Sequence, residues 1–254
     1  MPLKMIVTDL DNTLLHGDKV ISDYTISILN RCKKNGIKVV FATGRSERAT
    51  RMFQEQIIPD YVISNNGATI NHGETIIRNF LIPQATVEKL MALFLLSTEI
   101  TFISVEANEY TLTNYDGPLW EPGWNIVHTT FLDEVYTDTS KISVACENVN
   151  FLLEVLGAYP ELHFYSSSND DLHQIMCKES TKASAIIYLS KLLGFELKDI
   201  TAFGDDYNDI DMLQRCGTGV AVSNAIYDVK TTADYICDSN DNDGVAKWLE
   251  GNVL

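Results

Sequence analysis

Asp9 and Asp11 stand two residues apart, directly after the apolar, β-branched run Met5-Ile6-Val7-Thr8. A buried strand ending there puts both carboxylates at its carboxyl end, the edge of an open α/β sheet where ligands bind. Two carboxylates so placed repel each other and lose hydration unless a cation or a proton is shared. A pair this costly to stability points to a metal and to chemistry. Three further segments carry groups that suit the same site. Thr43-Gly44 offers a hydroxyl and backbone N–H groups, Lys182 an ammonium, and Gly204-Asp205-Asp206-Tyr207-Asn208-Asp209 further carboxylates and an amide.

That inventory suits a phosphoryl group held with Mg²⁺. Hard oxygen donors select Mg²⁺, which commonly uses only one or two carboxylates and keeps several waters. A carboxylate can attack phosphorus and form an aspartyl-phosphate. Lys182 and the Thr43 hydroxyl would stabilise the equatorial oxygens of the transferring group. A second carboxyl must protonate the leaving alcohol and later activate water, and Asp11 is the candidate. Each residue also has a plainer reading. Thr43-Gly44-Arg45 alone is a turn with a helix cap, and Lys182 alone is a solvated helix lysine with Lys178 as its rival. Asp206 is expected to cap the helix that follows. Arg45 either reaches substrate or makes a structural ion pair. Asn66 either meets substrate or makes an Asn-Gly turn.

The elements that must position these groups follow from apolar periodicity. Ser22-Asp23 offers an N-cap for a helix through Lys34 that Gly36 ends. Lys38 to Phe41 reads as a second strand, Ser46 to Gln56 as a helix, and Tyr61 to Ser64 as a third strand. Alternating strands and helices signal a parallel sheet with right-handed crossovers. After Asn65-Asn66-Gly67 the pattern becomes hairpin-like, with Pro83 marking a hinge. From Pro83 to Lys178, helical stretches (Val87 to Leu96, Phe151 to Leu156) interleave with short strands, as in an α+β insert. The parallel pattern resumes with a helix from Lys182 to Leu193, strands at Ile200 to Phe203 and Gly219 to Val222, and intervening helices. Residues 1–82 and 179–254 are thus expected to form a Rossmann-like parallel-sheet core, with 83–178 inserted as an α+β domain.

Composition narrows the function. The chain has 254 residues, 45% hydrophobic, enough to bury a sizeable core. Its formal net charge of −16 argues against nucleic-acid and anionic-membrane partners, which depend on Lys and Arg. The first strand starts almost at Met1, leaving no room for a signal peptide, so a cytoplasmic location is expected. The five cysteines form no C-x-x-C pair, and the five histidines show no metal spacing. The insert holds 14 Asp plus Glu against 3 Lys and no Arg, a net of −11. An anionic leaving group would meet repulsion there, so neutral leaving groups are expected. Tyr110, Tyr115, Trp120 and Trp124 read as small-domain core or as a sugar-stacking lid.

Asp9-Leu10-Asp11-Asn12-Thr13, Thr43, Lys182 and Gly204-Asp205-Asp206-Tyr207-Asn208-Asp209 resemble, in order, the four motifs of the haloacid dehalogenase superfamily. The long insert resembles the type IIB (C2B) cap of the Cof-like sugar-phosphate phosphatases, which Ser64-Asn65-Asn66-Gly67-Ala68 and Asn224-Ala225 also fit. The resemblance implies an α/β core with an inserted cap and Mg²⁺-dependent hydrolysis of a small phosphomonoester of a sugar or polyol. It implies Asp9 as nucleophile and metal ligand, and Asp11 as general acid/base with its backbone carbonyl a second ligand. It implies Asp205 as the remaining protein ligand, and Asn208 and Asp209 as residues that orient phosphate, Lys182 and metal waters. The Leu10 backbone, Thr43 and Gly44 would contact phosphate, with Arg45, Asn66 and Lys182 as further phosphate- or substrate-binding candidates. Asn12 departs from the family's usual Gly, but Asn tolerates positive φ. The alternatives are a phosphohexomutase with the same cap, disfavoured by the lack of cap Arg, and a non-catalytic phosphate or metal sensor, disfavoured by the intact aspartates.

Overall fold

The structure, a computed structural model, describes residues 3–107, 109–115, 124–166 and 171–254. The chain begins with β1 (Met5–Thr8), α1 (Asp23–Lys34), β2 (Lys38–Ala42), α2 (Glu47–Gln54), β3 (Tyr61–Ser64), β4 (Thr69–His72) and β5 (Thr75–Asn79). The insert contributes α3 (Gln84–Leu96), β6 (Phe102–Glu106), β7 (Thr111–Thr113), β8 (Ile126–His128), β9 (Ile142–Ala145), α4 (Val149–Leu156), β10 (Leu162–Ser166) and β11 (Leu172–Cys177). The chain then returns through α5 (Lys182–Leu193), β12 (Ile200–Gly204), α6 (Ile210–Arg215), β13 (Thr218–Val222), α7 (Tyr227–Thr232), β14 (Tyr235–Cys237) and α8 (Gly244–Asn252).

The first sheet runs β14-β13-β12-β1-β2-β3-β4-β5, parallel from β14 to β3. From β1 the chain steps outward through β2 and β3 on one side, and later through β12, β13 and β14 on the other. The order therefore reverses between β1 and β12, which opens a crevice at their carboxyl ends. Every residue of β1 and β12 is buried, as helices on both faces require, and this accounts for the unbroken apolar runs in the sequence. Ser22 caps α1 by accepting from the Thr25 N–H, and the helix turns Thr25, Ile28, Leu29 and Cys32 inward. The expected hairpin is β4–β5, antiparallel on the edge of the sheet with a register shift between Ile70 and Asn71.

The insert folds as a second sheet, β10-β11-β9-β6-β7-β8, antiparallel except for the β7–β8 pair. Helix α3 presents Val87, Leu90, Met91 and Phe94 and α4 presents Leu152 and Leu156 to Ile103, Val105, Ile142, Val144 and Ile175. This apolar cluster is separate from the one beneath the first sheet. Two elements escape the periodicity. β8 is three residues long with Val127 and His128 exposed, so it shows no alternation. The stripe of α8 is only Val245, Ala246 and Leu249, behind a polar Asn240–Asp243 approach. Tyr115 packs edge-on against Phe102, with ring centroids 5.7 Å apart, as small-domain packing predicts. Trp120 lies outside the described residues. Among the described residues no helix is long and apolar enough to cross a membrane.

Candidate active site

The crevice between β1 and β12 is where the predicted residues meet. Asp9 follows β1, and its N–H donates to the Phe203 carbonyl at 3.0 Å, which sets the two strand ends side by side. Carboxylate oxygens of Asp9, Asp205 and Asp209 lie within 4.8 Å of one another, and all three residues are buried. Lys182 Nζ stands among them, 2.8 Å from Asp9 Oδ1 and 2.6 Å from Asp209 Oδ1. Asp209 Oδ2 accepts from the N–H groups of Asp205 (2.9 Å) and Asp206 (3.2 Å). With both oxygens committed, Asp209 anchors the loop and Lys182. Asp205 Oδ1 accepts from the Thr13 hydroxyl at 2.7 Å.

Local sequence explains these placements. A Cβ on Gly204 would lie 2.5 Å from the Asp209 Cβ, so only glycine lets Asp209 fold back over the end of β12. Lys182 opens α5 behind a capping box in which Thr181 and Ser184 bond each other's backbone N–H. Gly67, at φ 102°, would carry a Cβ 2.2 Å from the Thr181 carbonyl, so its lack of a side chain lets the Asn65–Gly67 turn pack on the start of that helix. Asn12 has φ 56°, the positive region expected of the residue replacing glycine. Its carbonyl accepts from Asn224 Nδ2 at 2.8 Å, which ties the first loop to the end of β13.

Burial pushes the Asp9 carboxyl up to about 7, with Lys182 opposing the rise and Asp209 and Asp11 adding to it. Burial, then repulsion from Asp9 and Asp209, pushes Asp205 up to about 9. Burial disfavours the charged form of Lys182, but Asp209 and Asp9 outweigh it and hold the ammonium protonated. Three carboxylates around one ammonium lack positive charge. The donors at hand are hard oxygens without His or Cys, a set that fits Mg²⁺.

Asp11 is placed differently. Arg45 grips both its oxygens, Nε to Oδ2 and Nη2 to Oδ1 at 2.7 Å each, and Lys19 Nζ reaches Oδ1 at 2.8 Å. Burial works against its charge, but the bonds from Arg45 and Lys19 prevail and hold the carboxyl below its ordinary value. Its side chain stands outside the three-carboxylate cluster, which leaves the backbone carbonyl for any metal contact. Of the two readings of Arg45, the structure shows the ion pair, with Trp124 and Phe53 rings 6.0 and 5.2 Å from the guanidinium.

A cavity of about 320 Å³ gathers the predicted Asp9, Asp11, Thr43, Gly44, Arg45, Asp205 and Asn208 beside Trp124, Lys141 and Gln174 of the insert. A larger cleft of about 630 Å³ beyond the Ser46–Arg48 turn contains none of the four aspartates. Thr43 Oγ1 accepts from the Arg45 N–H at 3.1 Å. Asn66 makes the turn, at φ 54°, and also bridges the layers: Oδ1 accepts from Asn208 Nδ2 and Nδ2 donates to Gln174 Oε1, both at 2.8 Å. Leu10 is buried in the core, and its carbonyl accepts from the N–H groups of Thr13, Leu14 and Leu15, so only its N–H remains for a ligand. Of the two rival lysines, Lys178 is exposed beyond β11, while Lys182 is the one bonded to Asp9. Asp206 caps the turn at Tyr207–Asp209 as expected.

Sequence reasoning gave no role to Thr13, Lys19 or Gln174, and read Trp124 as small-domain core or part of a sugar-stacking lid; Trp124 lines the cavity. Thr13 sits inside the first motif and could have been found there. Nothing in the insert's periodicity marks Trp124 or Gln174.

Residues 6–249 match the haloacid dehalogenase-like hydrolase family. A 5-amino-6-(5-phospho-D-ribitylamino)uracil phosphatase of Bacillus subtilis is 31% identical over 99% of this chain and 96% of its own length. A solved sugar phosphatase of HAD subclass IIB superposes with a TM-score of 0.84 at 25% identity, covering 99% of this chain and 100% of that one. A HAD phosphatase from Bacteroides thetaiotaomicron gives 0.85 at 25% identity, over 100% and 96%.

Proposed function

The chain belongs to the haloacid dehalogenase-like hydrolases and is a phosphatase of that family; on that premise we propose that it hydrolyses a small sugar or polyol phosphomonoester through an aspartyl-phosphate on Asp9, with Mg²⁺ as cofactor. The observation that carries the reading is the buried Asp9–Asp205–Asp209 group built around Lys182. Mg²⁺ would be held by Asp9, Asp205 and the Asp11 carbonyl, and would supply the charge that lets an anionic nucleophile approach an anionic ester.

Asp9 attacks phosphorus with the carboxylate oxygen not bonded to Lys182. Lys182, kept in place by Asp209, and the Thr43 hydroxyl meet the equatorial oxygens, where negative charge is spread in the transition state. Gly44 and the Leu10 N–H complete the cradle, and Asn208 is steadied by Asn66. Once Arg45 and Lys19 yield one of its oxygens, Asp11 takes up a proton from solvent and gives it to the alkoxide leaving phosphorus; it later takes a proton from the water whose attack on phosphorus breaks the bond to Asp9 and releases phosphate. The B. subtilis relative acts on a ribityl phosphate, a polyol ester, which supports the substrate class. The free state of all five cysteines supports a cytoplasmic location.

The test is a panel of sugar, polyol and aryl phosphates assayed with Mg²⁺ and with excess chelator. Hydrolysis that needs the metal is expected. Full activity in chelator would overturn the metal assignment, and no hydrolysis of any ester would overturn the phosphatase reading.

A further inference from the structure

Lys141, the residue before β9, lines the 320 Å³ cavity and is 5% exposed. An ammonium carries three N–H donors and accepts nothing. Among the described residues Lys141 makes one hydrogen bond, from Nζ to the Gly44 carbonyl at 2.7 Å. No carboxylate among the described residues pairs with it, since Glu106, whose charge reaches it, is tied to Arg48. A buried cation without a bonded anion, and with two donors unused, is costly unless a ligand completes it.

Its neighbour on β11, the strand paired with β9, repeats the pattern. Gln174 Oε1 accepts from Asn66 Nδ2, and the Gln174 amide NH₂ has no protein acceptor among the described residues. Although the insert has a net charge of −11, none of its described carboxylates lines this cavity. What its polar side chains offer there is donors, next to the Trp124 ring. The bond to Gly44 also fixes distance. Gly44 adjoins Thr43, so the Lys141 ammonium stands beside the phosphate cradle and can reach only atoms close to the ester oxygen.

We infer that Lys141 is a specificity-determining residue, which together with Gln174 binds an acceptor oxygen on the carbon next to the esterified one, and so selects polyol and sugar phosphates over simple alkyl phosphates. The inference rests on the phosphatase reading and adds the leaving-group contact to it. Lys182 already serves the phosphoryl group from the core side, which leaves Lys141 for the other side of the ester. Asp11 and Asp206 also line the cavity, so a hydroxyl gains the donors without the repulsion that a second anionic group would meet.

The experiment compares a matched pair, glycerol 1-phosphate and n-propyl phosphate, on the full chain with Mg²⁺, using wild type, Lys141→Met and Lys141→Arg. p-Nitrophenyl phosphate, which lacks the adjacent hydroxyl, reports that each variant is folded. Wild type should prefer glycerol 1-phosphate. Lys141→Met should lose about 10- to 100-fold in kcat/KM on it, the range for a lost hydrogen bond to a charged group, mainly through KM. The same variant should change by less than about 3-fold on n-propyl and p-nitrophenyl phosphate, and Lys141→Arg should restore much of the preference. Equal losses on all three esters would place Lys141 on the phosphoryl group and overturn the inference, as would an unchanged preference. Hydrolysis of none of them by wild type would instead sink the phosphatase reading.

Discussion

Arg45 and Asp11 are joined by two parallel hydrogen bonds of 2.7 Å, a fork on a carboxylate, with Lys19 on the same group at 2.8 Å. A carboxyl held ionised in this way is a base at rest and becomes an acid only when that grip loosens. The proposed proton transfer therefore depends on rearranging this pair. Leaving groups differ in how much they need the proton. Asp11→Asn should lower kcat/KM for an alkyl phosphate by on the order of 10²- to 10⁴-fold, the usual range for general acid–base catalysis. It should cost p-nitrophenyl phosphate, whose leaving group departs without a proton, far less. Equal losses on the two esters would show that Asp11 acts on phosphate binding.

Asp9→Asn should lower turnover by on the order of 10³-fold or more, as removal of a nucleophile does. Its effect on stability should run the other way. Asp9 is one of three crowded carboxylates, and its neutralisation relieves repulsion with Asp205 and Asp209 while Lys182 keeps Asp209 as its partner. In metal-free buffer the variant should melt no lower than wild type. A clearly lower Tm would mean that the Lys182–Asp9 bond outweighs the repulsion.

Much of this site was legible because three of the four motifs end buried strands, and the strand ends of a parallel sheet must share one edge. Asp9, Thr43 and Asp205 could be placed by that topology alone, and Lys182 by its position opening a helix. The rest depends on side-chain direction and on chain segments meeting across the two layers. Two residues of spacing said that Asp11 and Asp9 share a strand end. They did not say that Asp11 turns toward Arg45 and Lys19 while Asp209, four residues beyond Asp205, turns back into the cluster. Gln174 and Trp124 reach the cavity from short strands and loops whose register no periodicity sets. Net charge is a coarse guide for a similar reason: −11 over the insert is a sum, and the insert side chains that line the cavity include Lys141 and none of its described carboxylates.

Asp60 links β2 to the start of β3. Its Oδ1 accepts from Lys38 Nζ at 2.8 Å and its Oδ2 from the Val39 N–H at 3.0 Å. Burial opposes its charge, but these bonds, with Lys33 nearby, hold the carboxyl below its ordinary value. A carboxylate so depressed stabilises the fold fully above the unfolded value of about 3.9 and loses that contribution as pH falls through its folded value. Asp60→Asn should therefore cost about 1 kcal/mol at pH 7, the scale of a net hydrogen bond or a half-exposed ion pair. The gap should narrow as pH is lowered from about 5 toward the acid limit of the folded protein. Urea denaturation of both proteins along that series measures it. A gap that stays constant would mean that the lost bonds do not depend on the charge of Asp60.

Arg48 belongs to α2 of the first layer, yet its guanidinium lies wholly within the second. Nη1 donates to the Ala107 carbonyl at 2.9 Å and Nε to the Trp124 carbonyl at 3.2 Å, while Thr111 and the buried Glu106 complete its surroundings. Removing one partner of a buried pair strands the other, at a cost of about 3–5 kcal/mol. Because the Trp124 carbonyl is one of the groups held, the loss should reach the cavity that Trp124 lines. Arg48→Met should raise KM for a good phosphoester several-fold and speed hydrogen exchange around Ala107 and Thr111, with exchange in β1 and β12 unchanged. Glu106→Gln should act in the same direction. The double variant should be less destabilised than the sum of the two, because the second change removes a charge already left unpaired. Additive losses would show that Arg48 owes its place to the three oxygen acceptors alone, and would remove Glu106 from the account of how the two layers are held together.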